Sequence, residues 1–259
     1  MGLSNSIYLD TTGPIAIAHR GASFEQPENT MAAFQAAVSL GYRYIETDVH
    51  LTRDGVLIAF HDDRLDRVTE DKGKISQLDW PQIMQARVSG REPIPRLIDI
   101  LTTWPELRVN IDPKSDMAVQ AVVEIVKQCK AEDRVCIGSF SGARLSKIRK
   151  SFNGTICTSM GPLEVLKLRL ASLPLPGIAG LAGNSLAKCA QVPTHQWKIR
   201  LIDKLFIDRA HDLGQKVHVW TINDQSEMNR LLDLKVDGIM SDDAALLKAV
   251  FVARNLWQE

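Results

Sequence analysis

The chain has 259 residues, of which 45% are hydrophobic, and this is enough apolar sequence for one large folded unit with a sizeable core. Lys plus Arg and Asp plus Glu both number 31, so the net charge provides no general attraction to nucleic acid or to an acidic membrane surface. The first residues have no basic n-region or apolar h-region, and no later stretch resembles a membrane span. We therefore expect a cytoplasmic protein without a transmembrane segment.

Eight short apolar runs alternate with longer helical patterns, and this order predicts βα units that build a parallel sheet. Eight such units in a chain of this length predict a single domain of the α/β class over residues 1–259, a (β/α)8 TIM barrel. The predicted strands are Ile15–Ala18, Tyr44–Asp48, Leu107–Asp112, Val135–Ser139, Thr155–Ser159, Lys188–Val192, Lys216–Trp220 and Asp237–Ser241.

One segment is too polar and rich in proline for a minimal barrel. Residues at about 56–97 begin as a short strand and continue with charged sequence that ends in "REPIPRL". We predict a small insertion after the second strand, over the C-terminal mouth where barrel active sites lie.

The four cysteines, Cys129, Cys136, Cys157 and Cys189, are scattered and form no CxxC pair. They have no histidine at zinc-finger spacing, and three of them lie in apolar β-like runs. We expect reduced and mostly buried thiols, which favours a reducing compartment.

The second strand carries two carboxylates, in "YIETDVHLT". Glu46 and Asp48 are two residues apart, so their side chains point to the same face of the strand. Two carboxylates on one face repel each other unless a cation lies between them, and oxygen ligands of this kind suit Mg²⁺ or Ca²⁺. The third strand ends in "NIDPK", where Asp112 and Lys114 share a face by the same reasoning, and its proline is expected to end the ladder. Asp112 could complete the oxygen ligands of the metal, and Lys114 could hold a phosphate oxygen.

Two histidines follow apolar β runs, in "AIAHRG" and "VLIAFHDD". His19 and His61 are expected at strand ends near the mouth, where two imidazoles can divide the roles of acid and base. Arg20 follows His19 directly, and Asp62 and Asp63 follow His61, which they can orient. Phosphate-ester cleavage needs positive charge that stabilises the nonbridging oxygens and a proton donor for the leaving alkoxide. A divalent cation, Arg20 and Lys114 could supply the charge, and the two histidines could transfer the protons. The chain has no GxxxxGK[ST] loop and no GxSxG motif, which disfavours a nucleotide-binding phosphoryl transferase and a serine hydrolase.

An ordered set of motifs resembles the glycerophosphodiester phosphodiesterases: "HRG", "PENTMAAFQAAVSLGYRYIETDVHLTRDGVLIAFHDDRLDRVTEDKG", "IPRLIDIL", "NIDPK", "VWTIND" and "VDGIMSDD". The match covers about residues 15–245 and is densest before residue 100. The resemblance implies a TIM barrel that hydrolyses glycerophosphodiesters to glycerol 3-phosphate and an alcohol with the help of a divalent cation.

The resemblance also implies roles for single residues. His19 and His61 match the acid–base pair of the family, and Arg20 and Lys114 match its phosphate-binding cations. Trp220 matches an aromatic residue at the mouth that can line the glycerol pocket. The metal-binding positions are matched by Glu46, Asp48 and Asp112. Asp112 stands where the family usually has glutamate, so the affinity for the metal or the choice of metal can differ.

Two other functions remain open from the sequence. A lysophospholipase D would use the same chemistry on a lysophospholipid, with the apolar stretch Leu163–Gly183 as a candidate acyl groove, although core helix and loop is the simpler interpretation of that stretch. A noncatalytic module that binds a phosphorylated ligand would usually lack one of the catalytic groups, and here the set is complete.

Overall fold

The computed structural model of the protein describes residues 7–183, 185–196 and 199–258. Its strands and helices follow one another in the order β1 (Ile15–Ala18), α1 (Met31–Ser39), β2 (Tyr44–Leu51), β3 (Leu57–Ala59), α2 (Trp80–Ile83), β4 (Arg87–Val88), β5 (Glu92–Pro93), α3 (Leu97–Thr103), β6 (Arg108–Pro113), α4 (Ala118–Gln128), β7 (Val135–Ile137), α5 (Gly142–Ser151), β8 (Cys157–Thr158), α6 (Pro162–Ala171), β9 (Cys189–Val192), β10 (His195–Gln196), β11 (Ile199–Arg200), α7 (Lys204–Asp212), β12 (Lys216–Val219), α8 (Gln225–Asp233), β13 (Gly238–Ser241) and α9 (Ala244–Ala253).

Eight parallel strands form the barrel, and they neighbour one another in the order β1, β2, β6, β7, β8, β9, β12 and β13. The first and last strands pair, with Ala18 opposite Ser241. The ring closes between β8 and β9 through one parallel bridge, which pairs Ser159 with Cys189. A hydrogen bond of 2.8 Å from the Met160 amide to the Cys189 carbonyl supports this seam. The predicted α/β barrel is therefore confirmed.

All eight predicted strands are barrel strands, with differences at their ends. The main difference concerns Pro113, which was expected to end the ladder of the third strand. Pro113 instead stays in register with Val49, and the amide of Lys114 donates to the Val49 carbonyl at 3.0 Å. A proline at the last position of a strand lacks only its own amide donor, so the next residue can still pair. This continuation holds Lys114 close to β2.

The helices cover the barrel because their apolar residues recur at helical spacing. Helix α4 buries Val119, Val122, Val123 and Val126 along one side. Side-chain caps fix several helix starts, and the Asp243 carboxylate accepts the Leu246 amide at the start of α9. Helix α9 thus begins directly after the short loop that leaves β13 at the C-terminal mouth of the barrel.

The segment between β2 and α3 has a small apolar cluster of its own, in the region predicted to be an insertion. Strand β3 pairs antiparallel with the end of β2, with Val49 opposite Ala59. The cluster contains Ile58, Phe60, Leu65, Ile75, Ile83, Ala86, Val88 and Ile94. That residues 56–97 act as an insertion over the mouth stays a prediction.

The apolar stretch Leu163–Gly183 forms helix α6 and the loop after it. The helix buries Leu168 and Ala171, while Leu163, Leu166 and Leu170 remain exposed. Ser185, after this loop, donates to Glu164 in the first turn of α6 at 2.7 Å, so the chain returns to the start of that helix. Among the described residues, no helix has the length and hydrophobicity needed to cross a membrane.

Candidate active site

The HRG triplet forms a tight turn between β1 and the loop before α1. Arg20 and Gly21 both have left-handed backbone conformations, with φ of 56° and 83°. A Cβ atom on Gly21 would lie 2.6 Å from the Ala33 carbonyl carbon, so the turn packs against α1 more closely than any side chain allows. The turn leaves His19 at the end of β1 and directs Arg20 toward β2.

His19 is held by an aspartate from the other end of the chain. Its Nδ1 lies 2.7 Å from Oδ1 of Asp242, which follows β13. Asn223 donates to the second oxygen of Asp242 at 2.8 Å, and Ser23 donates to the first at 3.3 Å. These contacts fix the carboxylate and therefore the orientation of the imidazole. Burial opposes protonation of His19, but the nearby Glu46 and the bond to Asp242 outweigh it and raise its pKa.

Glu46 and Asp48 lie side by side inside the barrel, and both are buried. Glu46 accepts the backbone amide of Arg20 at 3.1 Å, and its Oε2 lies 3.7 Å from Nε2 of His19. Burial and the adjacent charge of Asp48 raise the pKa of Glu46 to about 7. The Glu46 carboxyl therefore titrates near neutral pH, and a bound cation would lower its pKa.

Asp48 contacts both cationic side chains of the candidate site, Lys114 and Arg20. Its oxygens lie 2.6 Å from Nζ of Lys114 and 3.1 Å from Nε of Arg20, and Asn29 donates to it at 3.1 Å. Burial alone would favour the neutral acid, but the charges of Lys114 and Arg20 hold the pKa of Asp48 below its usual value. Asp48 is therefore an ionised carboxylate in the folded protein.

Asp112 lies directly opposite Asp48 in the register of β6 and β2. The Nζ atom of Lys114 is 2.7 Å from Asp112 Oδ2, so this ammonium contacts both aspartates. Burial raises the pKa of Asp112, although Lys114 partly opposes that effect.

The second histidine belongs to a chain of charged groups. His61 Nδ1 is 2.6 Å from Asp62, and Asp62 accepts Nε of Arg67 at 2.5 Å. Arg67 also donates to both oxygens of Glu28, which in turn accepts Arg20 at 3.0 Å. This chain links the segment that carries His61 to the HRG turn.

The predicted aromatic residue Trp220 lies just after β12, and its ring meets Phe140 edge-on at 5.7 Å between centroids. Phe140 is 67% exposed and follows β7. The two rings form an apolar surface after β12 and β7, whereas His61 follows β3, which pairs with β2.

The sequence interpretation missed several residues of the site. Asp242, Glu28, Asn29 and Arg67 were not proposed, although "PENT" and "SDD" lie inside the quoted motifs. His50 lies 3.1 Å from the backbone carbonyl of His61 through its Nε2. The contacts of these residues span 5 to 223 positions along the chain, and the long-range ones have no local pattern that indicates them.

The donor set of Glu46, Asp48 and Asp112 fits a hard divalent cation, because the three residues offer carboxylate oxygens from two adjacent strands, with Glu46 and Asp48 buried and Asp112 half-buried. Burial, together with the adjacent charge of Asp48, accounts for the raised pKa of Glu46. The three acids do not converge on a single point, since Lys114 lies between Asp48 and Asp112.

The family model of the glycerophosphoryl diester phosphodiesterase family matches residues 19–246. The chain belongs to this family. It is therefore a phosphoric diester hydrolase by class. A relative in Mycobacterium tuberculosis, named probable glycerophosphodiester phosphodiesterase 2, is 39% identical over 96% of this chain and 95% of its own. Lysophospholipase D GDPD1 of Mus musculus is 29% identical over 90% of this chain and 84% of its own.

Solved structures share the barrel of this family. A putative glycerophosphoryl diester phosphodiesterase from Silicibacter pomeroyi superposes with a TM-score of 0.81 and 23% identity, over 99% of this chain and 100% of that one. A phosphodiesterase from Oleispira antarctica, solved with the product sn-glycerol-3-phosphate, gives a TM-score of 0.75 and 24% identity, over 92% of this chain and 97% of that one.

Proposed function

We propose that the protein hydrolyses glycerophosphodiesters to sn-glycerol 3-phosphate and an alcohol. The observation that carries the proposal is the pair of histidines, His19 and His61, each with Nδ1 on an aspartate, beside buried carboxylates and two cationic side chains. The name of the M. tuberculosis relative and the product bound in the O. antarctica structure support the same substrate class.

Arg20 and Lys114 are proposed to bind the phosphate. The Nε–H group of Arg20 is buried and 3.1 Å from Asp48, but among the described residues it is not aligned for a hydrogen bond to any group. A phosphate oxygen would provide the missing acceptor. Lys114 brings a compact ammonium to the same side of the mouth, where it can stabilise charge that develops on nonbridging oxygens.

The aspartates support a division of proton transfer between the histidines. Burial raises the pKa of Asp242 and of Asp62, but hydrogen bonds outweigh it in both cases and hold each pKa below the usual value, so both groups are ionised acceptors. Each imidazole must therefore donate through Nδ1, which leaves Nε2 to accept or donate the reacting proton. We assign His19 as the base, or nucleophile, toward the attacking side and the more exposed His61 as the acid for the leaving alcohol.

A divalent cation, Mg²⁺ or Ca²⁺, is part of the proposal, held by Glu46, Asp48 and Asp112. When bound, it would supply positive charge against the phosphate oxygens. Glu46 and Asp48 hold the deeper positions, and Asp112 is one methylene shorter than the glutamate usual in the family.

The test is release of sn-glycerol 3-phosphate from glycerophosphocholine by the purified protein. Activity should disappear in EDTA and return with Mg²⁺ or Ca²⁺. Equal activity with and without the chelator would contradict the assigned cation, and the absence of activity with every metal would contradict the substrate class.

A lysophospholipid is the second candidate substrate, and exposed apolar side chains favour it. Phe24, Met117, Phe140 and Leu163 are each more than 60% exposed and lie in the loops or first turns that follow barrel strands. Such residues at the mouth could contact an acyl chain. The name of the mouse relative points the same way.

The two substrates can be separated with lysophosphatidylcholine and the double variant Phe24→Ser, Met117→Ser. If these exposed residues at the mouth bind an acyl chain, the variant has a lower kcat/KM for lysophosphatidylcholine and an unchanged kcat/KM for glycerophosphocholine. Leu166→Ser, an exposed leucine away from the mouth, is the matched control. Equal effects on both substrates would contradict the proposal that Phe24 and Met117 contact an acyl chain.

A reducing, cytoplasmic location also belongs to the proposal. It is supported by the four cysteines, which are all free thiols in the structure.

A further inference from the structure

Three cysteines meet inside the barrel, far along the chain from one another. Cys136 on β7 lies directly opposite Cys157 on β8, and Cys189 begins β9. The sulfurs of Cys136 and Cys189 are 3.7 Å apart, and all three sulfur atoms lie within 4.8 Å of one another. Within residues 7–183, 185–196 and 199–258, no other three Cys, His, Asp or Glu side chains bring ligand atoms so close together.

The cluster is separate from the carboxylates of the mouth. The cysteines pack with Tyr8, Ile15 and Tyr44, of which the last two are the first residues of β1 and β2. That position is the N-terminal end of the barrel, opposite the candidate active site. Gln191, two residues beyond Cys189 on β9, donates at 2.9 Å to Asn110, which lies opposite Cys136 in the register of β6 and β7.

The spacing of the sulfurs suits a metal ion. Zinc–thiolate bonds of about 2.3 Å in tetrahedral geometry put sulfurs roughly 3.8 Å apart. The 3.7 Å between Cys136 and Cys189 meets that requirement, and a disulfide would need about 2.05 Å. Three sulfur ligands select soft cations over the Mg²⁺ or Ca²⁺ expected at the mouth.

Tyr8 provides a second, independent indication. Its side chain is fully buried in the same cluster, and its hydroxyl has no hydrogen-bond partner among the residues that the structure describes. A buried hydroxyl is normally paired. Neutral thiols are weak acceptors, whereas a metal-bound thiolate carries the negative charge that an O–H donor would stabilise.

We propose that Cys136, Cys157 and Cys189 bind one Zn²⁺ ion as thiolates at the N-terminal end of the barrel. Binding forms three zinc–sulfur bonds and releases the three thiol protons to solvent, with no change of oxidation state. The ion would join β7, β8 and β9, and so would strengthen the seam that the single bridge between Ser159 and Cys189 closes. Its role is structural.

The first test measures the zinc content of protein purified from cells grown with added zinc, after gel filtration in Mg²⁺ buffer. We expect about one zinc ion per chain in the wild type and in Cys129→Ser, whose half-buried thiol lies outside the cluster. Cys157→Ser should keep less than a tenth of that zinc. Asp48→Asn should keep all of it, because the ion is not bound at the mouth.

A second test needs no cysteine variant and therefore does not depend on a variant that folds. The wild type is refolded with Co²⁺ in excess Mg²⁺, and the near-ultraviolet band of cobalt–thiolate charge transfer is recorded. The band should appear, and equimolar Zn²⁺ present during refolding should abolish it. A wild type that has neither zinc nor the band, or a band that equimolar Zn²⁺ leaves unchanged, would overturn the proposal.

Discussion

Asp242 holds His19 across the closure of the barrel, with 2.7 Å between Oδ1 and Nδ1. The two residues are 223 positions apart, and they meet because β1 and β13 pair with Ala18 opposite Ser241. The first and last βα units therefore have to be folded together before His19 is oriented.

Asp242→Asn should lower kcat for glycerophosphocholine about 10- to 100-fold, with a smaller change in KM. The neutral asparagine amide replaces the carboxylate that accepts the Nδ1–H of His19, so the imidazole is held less firmly in its orientation. Double-mutant kinetics with His19→Asn should show that the two losses do not add. Glu25→Gln, an exposed acid in the same loop region, is the control and should be neutral. Fully additive losses would show that Asp242 acts independently of His19.

Lys114→Met should lower kcat about 100- to 1000-fold, because an ammonium aimed at the phosphate is lost. It also leaves the buried Asp48 facing the half-buried Asp112 without the cation between them. We therefore expect a lower free energy of unfolding in urea at pH 7, partly restored by adding Asp112→Asn. Lys150→Met, on the exposed surface, should change neither quantity. A stable but inactive Lys114→Met would mean that the ammonium serves substrate alone.

Gly21→Ala should destabilise the protein more than Gly55→Ala. Both glycines have φ near 85°, at 83° and 88°, so both substitutions carry the backbone penalty of about 1 kcal/mol. A Cβ on Gly55 meets open space, whereas one on Gly21 would lie 2.6 Å from Ala33. The difference between the two unfolding free energies, measured in urea, isolates the steric contact. Equal losses would mean that the HRG turn can relax away from α1.

Asp237 gives a pH dependence of stability that is independent of the active site. Burial raises the pKa of its carboxyl, but His211, the Val217 amide and Lys216 together hold that pKa below the unfolded value. A depressed pKa means that the stabilisation is present above the unfolded pKa, near 3.9, and is lost as the pH falls through the folded pKa. Asp237→Asn should therefore cost about 1–3 kcal/mol at pH 7 and much less at pH 3.

The control for that measurement is Asp208→Asn, which removes a half-exposed acid paired only with the exposed Lys204. Such surface pairs contribute little, so its unfolding free energy should match the wild type at both pH values. A loss for Asp237→Asn that is the same at pH 7 and pH 3 would assign the effect to packing rather than to charge.

The sequence was sufficient for what depends on local periodicity. All eight barrel strands follow from apolar runs between helical patterns, and the shared face of Glu46 and Asp48 follows from the two-residue repeat of a strand. The contacts of Lys114 could not be predicted in the same way. They depend on the register of β6 against β2, which the sequence does not state.

Contacts between residues far apart in the chain could not be predicted either, because they depend on which strands are neighbours in the barrel. Arg67 reaches Glu28 across 39 positions, and the three buried cysteines lie on strands whose adjacency exists only in the closed barrel. The thiols were expected to be reduced and mostly buried, which Cys136, Cys157 and Cys189 are. Their convergence on one point required the fold.

The most direct test of the account compares two substrates in His61→Asn and His19→Asn. The choline of glycerophosphocholine leaves as an alkoxide that needs a proton, whereas the p-nitrophenolate released from the p-nitrophenyl ester of glycerol phosphate needs none. If His61 is the acid, His61→Asn loses about 100- to 10,000-fold in kcat on glycerophosphocholine and keeps most activity on the p-nitrophenyl ester. His19→Asn should lose activity on both substrates. Equal losses on the two substrates in His61→Asn would contradict the assignment of His61 as the acid.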